Sequence, residues 1–106
     1  MMRRIIVSVL ARLDLRNHFE YLTANDENKG LAFFDAARQT FADLSRMPGM
    51  GSPYPSSKER LRDLRKWHVK GFKRFLIFYR IQKDRIEIVR ILYGSQDIQT
   101  LLDRET

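Results

Sequence analysis

The sequence contains no cysteine. That excludes a disulfide scaffold, a thiolate zinc or iron–sulfur site and a thiol nucleophile, and it is compatible with a reducing cytoplasm. Proline and glycine are scarce, at three and five residues, and all three prolines and two of the glycines fall between Met47 and Pro55. Chain-breaking residues are thus gathered into one surface loop, too short to divide two domains. The only histidines, His18 and His68, stand apart without a carboxylate pattern, so neither a metal site nor a Ser-His-Asp triad is indicated. His18 reads as a helix-edge residue and His68 as a surface strand position. No apolar run approaches the roughly 18 residues that span a bilayer, which predicts a soluble chain with no membrane role. Arg3 and Arg4 precede an apolar run as in a secretory leader, but Ile5 to Ala11 is short and is closed by Arg12 and Asp14, so it reads as a first strand. There are no internal repeats, no low-complexity runs and no motif calling for a cofactor.

What is present fits one domain, residues 1–106. A chain of that length buries about 65% of its unfolded surface, enough for an independent core. Hydrophobic residues make up 43% and charged residues 31%, which argues against a disordered or fibrous chain. The net charge of +7 is unevenly spread. Between Lys58 and Arg90 stand twelve Lys or Arg against four acids, whereas the remainder holds eight bases and nine acids. The segregated charge predicts a positive field that attracts nucleic acid, an acidic peptide or an acidic protein surface. A solvated basic face that serves only solubility is the alternative.

Along the chain, Ile5 to Leu10 is β-branched and short, as in a buried strand. Ala11, Leu15, Phe19 and Leu22, with His18 beside them, then recur at helical spacing and predict a helix over about 11–21. Asn25, Asp26 and Glu27 suit the start of a second helix, in which Leu31, Phe34, Ala37, Phe41 and Leu44 form the apolar stripe to Arg46. Phe33 and Phe34 cannot both face a sheet, so one is free for a partner or a second copy. Gly49 and Gly51 follow a helix and lack the lysine of a phosphate loop, so they read as turn residues. After the loop, residues 61–69, 75–81 and 86–93 read as an antiparallel meander joined by 70–73 and 82–85. Alternation sends Glu87, Val89, Ile91 and Tyr93 to one face and Ile86, Ile88, Arg90 and Leu92 to the other, so both faces are rather apolar. Phe78 and Tyr79 take opposite faces, and a buried Tyr79 phenol needs a hydrogen-bond partner. Trp67 serves either as a core anchor or as an exposed hot spot among Arg65, Lys66 and Lys70. Ser95 suits the cap of a last helix over 96–102. The element order predicts an α+β fold: an N-terminal strand, a two-helix hairpin on one sheet face, a three-stranded antiparallel meander and a short C-terminal helix.

Pro48-Gly49-Met50-Gly51 after a long second helix, Leu61-Arg62-Asp63-Leu64-Arg65, Val69-Lys70-Gly71-Phe72, Phe75-Leu76-Ile77-Phe78-Tyr79-Arg80 and Arg90-Ile91-Leu92-Tyr93-Gly94-Ser95-Gln96-Asp97-Ile98 together resemble the ParE branch of the RelE/ParE toxin superfamily. The resemblance spans nearly the whole chain. It departs at His68, where the family often has proline, and at Tyr93-Gly94-Ser95-Gln96-Asp97, where it often has His-Gly-Ala-Arg-Asp. It implies the toxin of a bacterial type II toxin–antitoxin pair, serving plasmid maintenance or a stress response and neutralised in a heteromeric complex by a small acidic antitoxin that folds on contact.

Two mechanisms come with that resemblance, and fold alone does not choose between them. ParE-like members poison DNA gyrase by binding. RelE-like members cut mRNA on the ribosome without metal, using basic residues with a tyrosine or histidine to activate the 2′-hydroxyl and stabilise the phosphate transition state. Gln96 stands where a catalytic arginine of the RelE branch is expected, and the C-terminal residues hold no tyrosine, which favours gyrase. For a nuclease the candidate catalytic residues are Arg74, Arg80, Arg90 and Tyr93. For a binding protein the candidate partner-binding residues are Arg65, Lys66, Trp67, Lys70, Lys73 and Arg74. An inactive remnant that only binds antitoxin is the third reading.

Overall fold

A computed structural model describes residues 2–105, with side chains through Asp103. The elements are β1 (Arg4–Val7), α1 (Val9–Asn25), α2 (Glu27–Arg46), β2 (Ser52–Pro53), β3 (Leu64–Val69), β4 (Phe72–Ile81), β5 (Arg85–Tyr93) and α3 (Ile98–Glu105), with single 3-10 turns at Pro48–Met50 and Glu59–Leu61. The α+β order expected from the sequence is present. The sheet runs β1-β5-β4-β3-β2, and β1 lies parallel to β5 while the other pairs are antiparallel.

The first strand is shorter than its apolar run, because Ser8 ends it. The Ser8 hydroxyl accepts the Ala11 N–H at 3.0 Å and donates to the Val89 carbonyl at 2.8 Å, capping α1 and tying it to β5 at once. Val9 and Leu10 therefore belong to α1. Asp26 closes α1 through its N–H to the Leu22 carbonyl and caps α2 by accepting the Asn28 N–H, so the hairpin is joined through one residue.

Phe33, Ala37, Phe41 and Leu44 of α2 pack with Ala11 and Leu22 of α1 over Val69, Phe75, Ile77, Tyr79, Ile86, Ile88 and Ile91 of the sheet. Full burial of each large side chain among them contributes about 1.5–3 kcal/mol. The opposite sheet face is covered as well: Leu102 of α3 packs with Leu61, Leu64, Phe78, Val89 and Leu92. Strict alternation in β5 fails at a bulge, where the register against β4 shifts between Phe78 and Tyr79. Parity switches there, so Ile86 and Ile88 join the helix-side core together with Ile91, while Val89 and Leu92 face α3.

Four local expectations change. Phe33, fully buried, is the core residue of the phenylalanine pair, whereas Phe34 and Leu31 remain 41% and 51% exposed. Leu61 is buried from a 3-10 turn, and the strand begins only at Leu64. The β3–β4 turn is Lys70-Gly71 alone, with Gly71 at φ 78°, the left-handed conformation that glycine adopts without steric cost. Asp97, not Ser95, caps the last helix, its carboxylate accepting from the Thr100 N–H and hydroxyl.

Candidate functional site

The Lys70-Gly71 turn sets Lys73 and Arg74 at the start of β4, and the Gly94 N–H bonds the Arg74 carbonyl at 2.7 Å, drawing Arg74 beside the end of β5. There its guanidinium donates to the Tyr93 phenol at 3.5 Å. The hydrogen bond to Tyr93, then charge attraction to it, raises the Arg74 pKa against the opposing effect of burial. The Tyr93 ring is held edge-on to Phe75 at 4.9 Å, and Phe75 packs on His18 and Phe33. From the hairpin, Tyr21, Asn25 and Lys29 close the other side. These residues, with Lys73 and Arg74, line a hollow of about 390 Å³ that continues past Tyr21, Phe75 and Tyr93 into a second of about 360 Å³ walled by Asn17, His18, Ser95 and Gln96. Among the described residues no carboxylate lines either hollow.

The sequence placed Arg74, Lys73 and Tyr93 among the functional candidates, but not Tyr21, Asn25 or Lys29. Their spacing of four residues, off the apolar stripe of the hairpin, is the only sequence signal for them. His18 is no helix-edge residue: its Nε2 donates to the Ile91 carbonyl at 2.8 Å from between Phe33 and Phe75, linking α1 to β5. Gln96 accepts the Tyr93 N–H at 2.6 Å, so its side chain closes the 93–96 turn.

The four nuclease candidates do not converge. Arg90 is 7% exposed and forms a bidentate pair with Asp14 of α1, at 2.8 and 2.9 Å, while Asp14 also accepts the Ile91 N–H. Arg80 lies six residues along β4 from Arg74, about 20 Å of strand, and its guanidinium meets Glu87 at 3.6 Å and the Arg60 carbonyl at 3.0 Å. Only Arg74 and Tyr93 meet.

The binding candidates divide similarly. Arg65 donates to the Gly51 carbonyl at 2.6 and 3.0 Å and reaches Gly49, clamping the loop that Tyr79 grips from beneath. The Tyr79 phenol donates to the Pro48 carbonyl at 2.6 Å and accepts the Gly51 N–H at 2.9 Å, which supplies the partner its burial demands. Lys66 lies opposite Ser52 and is half-buried. Trp67 is half-buried against the helix-side core and stacks on His68 at 4.7 Å. Lys70, Lys73 and Arg74 are exposed.

A second surface lies on the outer side of the hairpin. Leu15 and Phe19 of α1 and Leu31 and Phe34 of α2 form an apolar groove of about 590 Å³ rimmed by Arg12 and Arg16. The Phe19 and Phe34 rings meet edge-on at 6.2 Å. The groove thus joins an exposed apolar floor to a rim of positive charge. Among the described residues no group of His, Asp or Glu is placed to hold a metal ion, and no helix is long and apolar enough to cross a membrane.

No curated protein matches this chain in sequence. In structure it is similar to a chain of the chromosomal ParDE toxin–antitoxin system of P. aeruginosa, with a TM-score of 0.70 over 87% of this chain and 96% of that one, at 18% identity, so the likeness is one of fold. The ParE toxin family of the type II parDE toxin–antitoxin system matches residues 5–98, strand β1 through the first residue of α3. This chain therefore belongs to the ParE toxin family.

Proposed function

We propose that this ParE-family toxin acts in the cytoplasm by binding DNA gyrase and trapping its cleaved DNA, without chemistry of its own, and that a cognate acidic antitoxin neutralises it. The observation that carries the non-enzymatic half is the dispersal of the basic residues a nuclease would need. Arg90 is committed to Asp14 and Arg80 is drawn to Glu87, so of the four nuclease candidates Arg74 and Tyr93 alone meet at the cleft. Transition-state stabilisation of a phosphodiester needs several donors aimed at one point, and those four candidates do not supply it. The gyrase half rests on the family. Neutralisation is supported by the Leu15–Phe19–Leu31–Phe34 groove with its Arg12 and Arg16 rim, which suits an acidic amphipathic segment that folds on contact.

Purified toxin, added to gyrase with supercoiled plasmid and ATP, should accumulate linear DNA after denaturation, and the antitoxin encoded beside it should abolish the product. No cleavage product from folded toxin would sink the gyrase reading. The Arg74–Tyr93 contact keeps one alternative open, a ribosome-dependent mRNA endonuclease. In that case Arg74→Ala and Tyr93→Phe would abolish mRNA cleavage while the protein stays folded. Arg90 is unsuitable for this test, since its replacement disturbs the core.

A further inference from the structure

We infer that the hollow between the hairpin end and the β4–β5 end is a binding site for a single-stranded nucleic-acid segment, its successive backbone phosphates held by Lys29, Lys73 and Arg74 and one base stacked on Tyr21. The inference stands whether or not gyrase is the target. The three cations come from two separate elements, α2 and β4, and line one concavity of ligand size with no carboxylate of the described residues in its wall. None of the ion pairs among the described residues includes them. Five other cations meet acids: Arg4 with Asp84, Arg46 with Asp43, Arg62 with Glu59, Arg80 with Glu87 and Arg90 with Asp14. Three cations around one concavity, with no counter-charge among the described residues, make a positive field that favours an anion there.

The groups beside the cations specify the anion. Tyr93 Oη accepts from Arg74, so its own proton is free to donate, and the guanidinium fork keeps further N–H groups for phosphate oxygens. Asn25 adds an amide within the same wall. A carboxylate is satisfied by one guanidinium, whereas this wall spreads three cations, a phenol and an amide around one hollow. Tyr21 lies on the rim with 68% of its surface exposed, an aromatic face with no structural duty evident in its burial. Cations that track a backbone beside an aromatic platform are what a sequence-tolerant single-strand site requires, because every base has a π-face to stack. DNA and RNA share this chemistry.

The test uses the intact toxin with fluorescein-labelled dT12 and rU12 in a polarisation titration over a range of salt. Binding should weaken with a log–log salt slope of about −2, three phosphate contacts at roughly −0.7 each. Lys29→Gln/Lys73→Gln/Arg74→Gln should flatten that slope by about 2. A charge-matched control, Lys58→Gln/Arg60→Gln/Arg62→Gln on a different surface, should leave it near the wild-type value. Tyr21→Ala, on an exposed position, should cost roughly tenfold in affinity at every salt concentration without changing the slope. A preference for dT12 or for rU12 identifies the natural strand, and either supports the site. Three results would overturn the inference: no binding by folded toxin, equal losses in the cleft and control variants, or competition by poly-glutamate as strong as by unlabelled oligonucleotide, which would make the hollow a carboxylate site.

Discussion

Arg90 offers the sharpest separation of structural from chemical roles. Arg90 and Asp14 are 7% and 8% exposed, their guanidinium and carboxylate share two bonds of 2.8 and 2.9 Å, and the Ile91 N–H adds a third to Asp14 at 2.9 Å. In Arg90→Leu the carboxylate keeps that backbone donor but loses its counter-charge while still shielded from water. Breaking one partner of a buried pair costs about 3–5 kcal/mol, a large share of the 5–15 kcal/mol typical of a small domain. With a urea dependence of about 2 kcal/mol per molar, the denaturation midpoint should fall by about 2 M. Asp14→Leu/Arg90→Leu removes both charges and should recover most of the loss, because a buried ion pair and a well-packed apolar pair differ little in net stability. Arg74→Leu, on an exposed side chain, should leave the midpoint in place. Arg90→Leu unfolding at the wild-type midpoint, or a double variant as unstable as the two singles combined, would refute the reasoning.

Other perturbations probe the loop, the turn and the groove. Tyr79→Phe strands the buried Gly51 N–H and the Pro48 carbonyl and should cost about 1–3 kcal/mol, read from thermal or urea unfolding. Gly51→Ala places a methyl 2.5 Å from the Tyr79 hydroxyl and 2.8 Å from the Lys66 carbonyl, so it should destabilise by a further route, overpacking, at about 1–3 kcal/mol. At Gly71, where φ is 78° and nothing lies within 4 Å of an added Cβ, alanine should cost only the conformational term of about 1–2 kcal/mol. Leu31→Glu/Phe34→Glu should alter stability by no more than about 0.5 kcal/mol per site, yet weaken the antitoxin complex by at least about 2 kcal/mol in calorimetry. Unchanged antitoxin affinity in that variant would remove the groove from the interface.

Some of this molecule was determined by its sequence because local chemistry has few solutions. Three prolines clustered with glycine had to make a loop, helical spacing had to make the hairpin, and a buried Tyr79 had to find a hydrogen-bond partner. The basic excess of 58–90 and the candidacy of Lys73, Arg74 and Tyr93 were equally legible, since charge and residue type are written directly in the chain. The tertiary structure decided what periodicity leaves degenerate. Leu31-Phe34 and Phe33-Ala37 both satisfy helical spacing in α2, and only packing against the sheet selects Phe33, leaving Leu31 and Phe34 to form the outer groove. The β5 bulge reverses inside and outside midway along a strand, a shift set by pairing with β4 rather than by any residue of β5 alone. Arg90 looked as available as Arg74 until α1 brought Asp14 to it across 76 positions of sequence. Lys29 likewise joined Lys73 and Arg74 only because the hairpin folds back over the sheet, for a cluster drawn from distant segments leaves no local pattern to read.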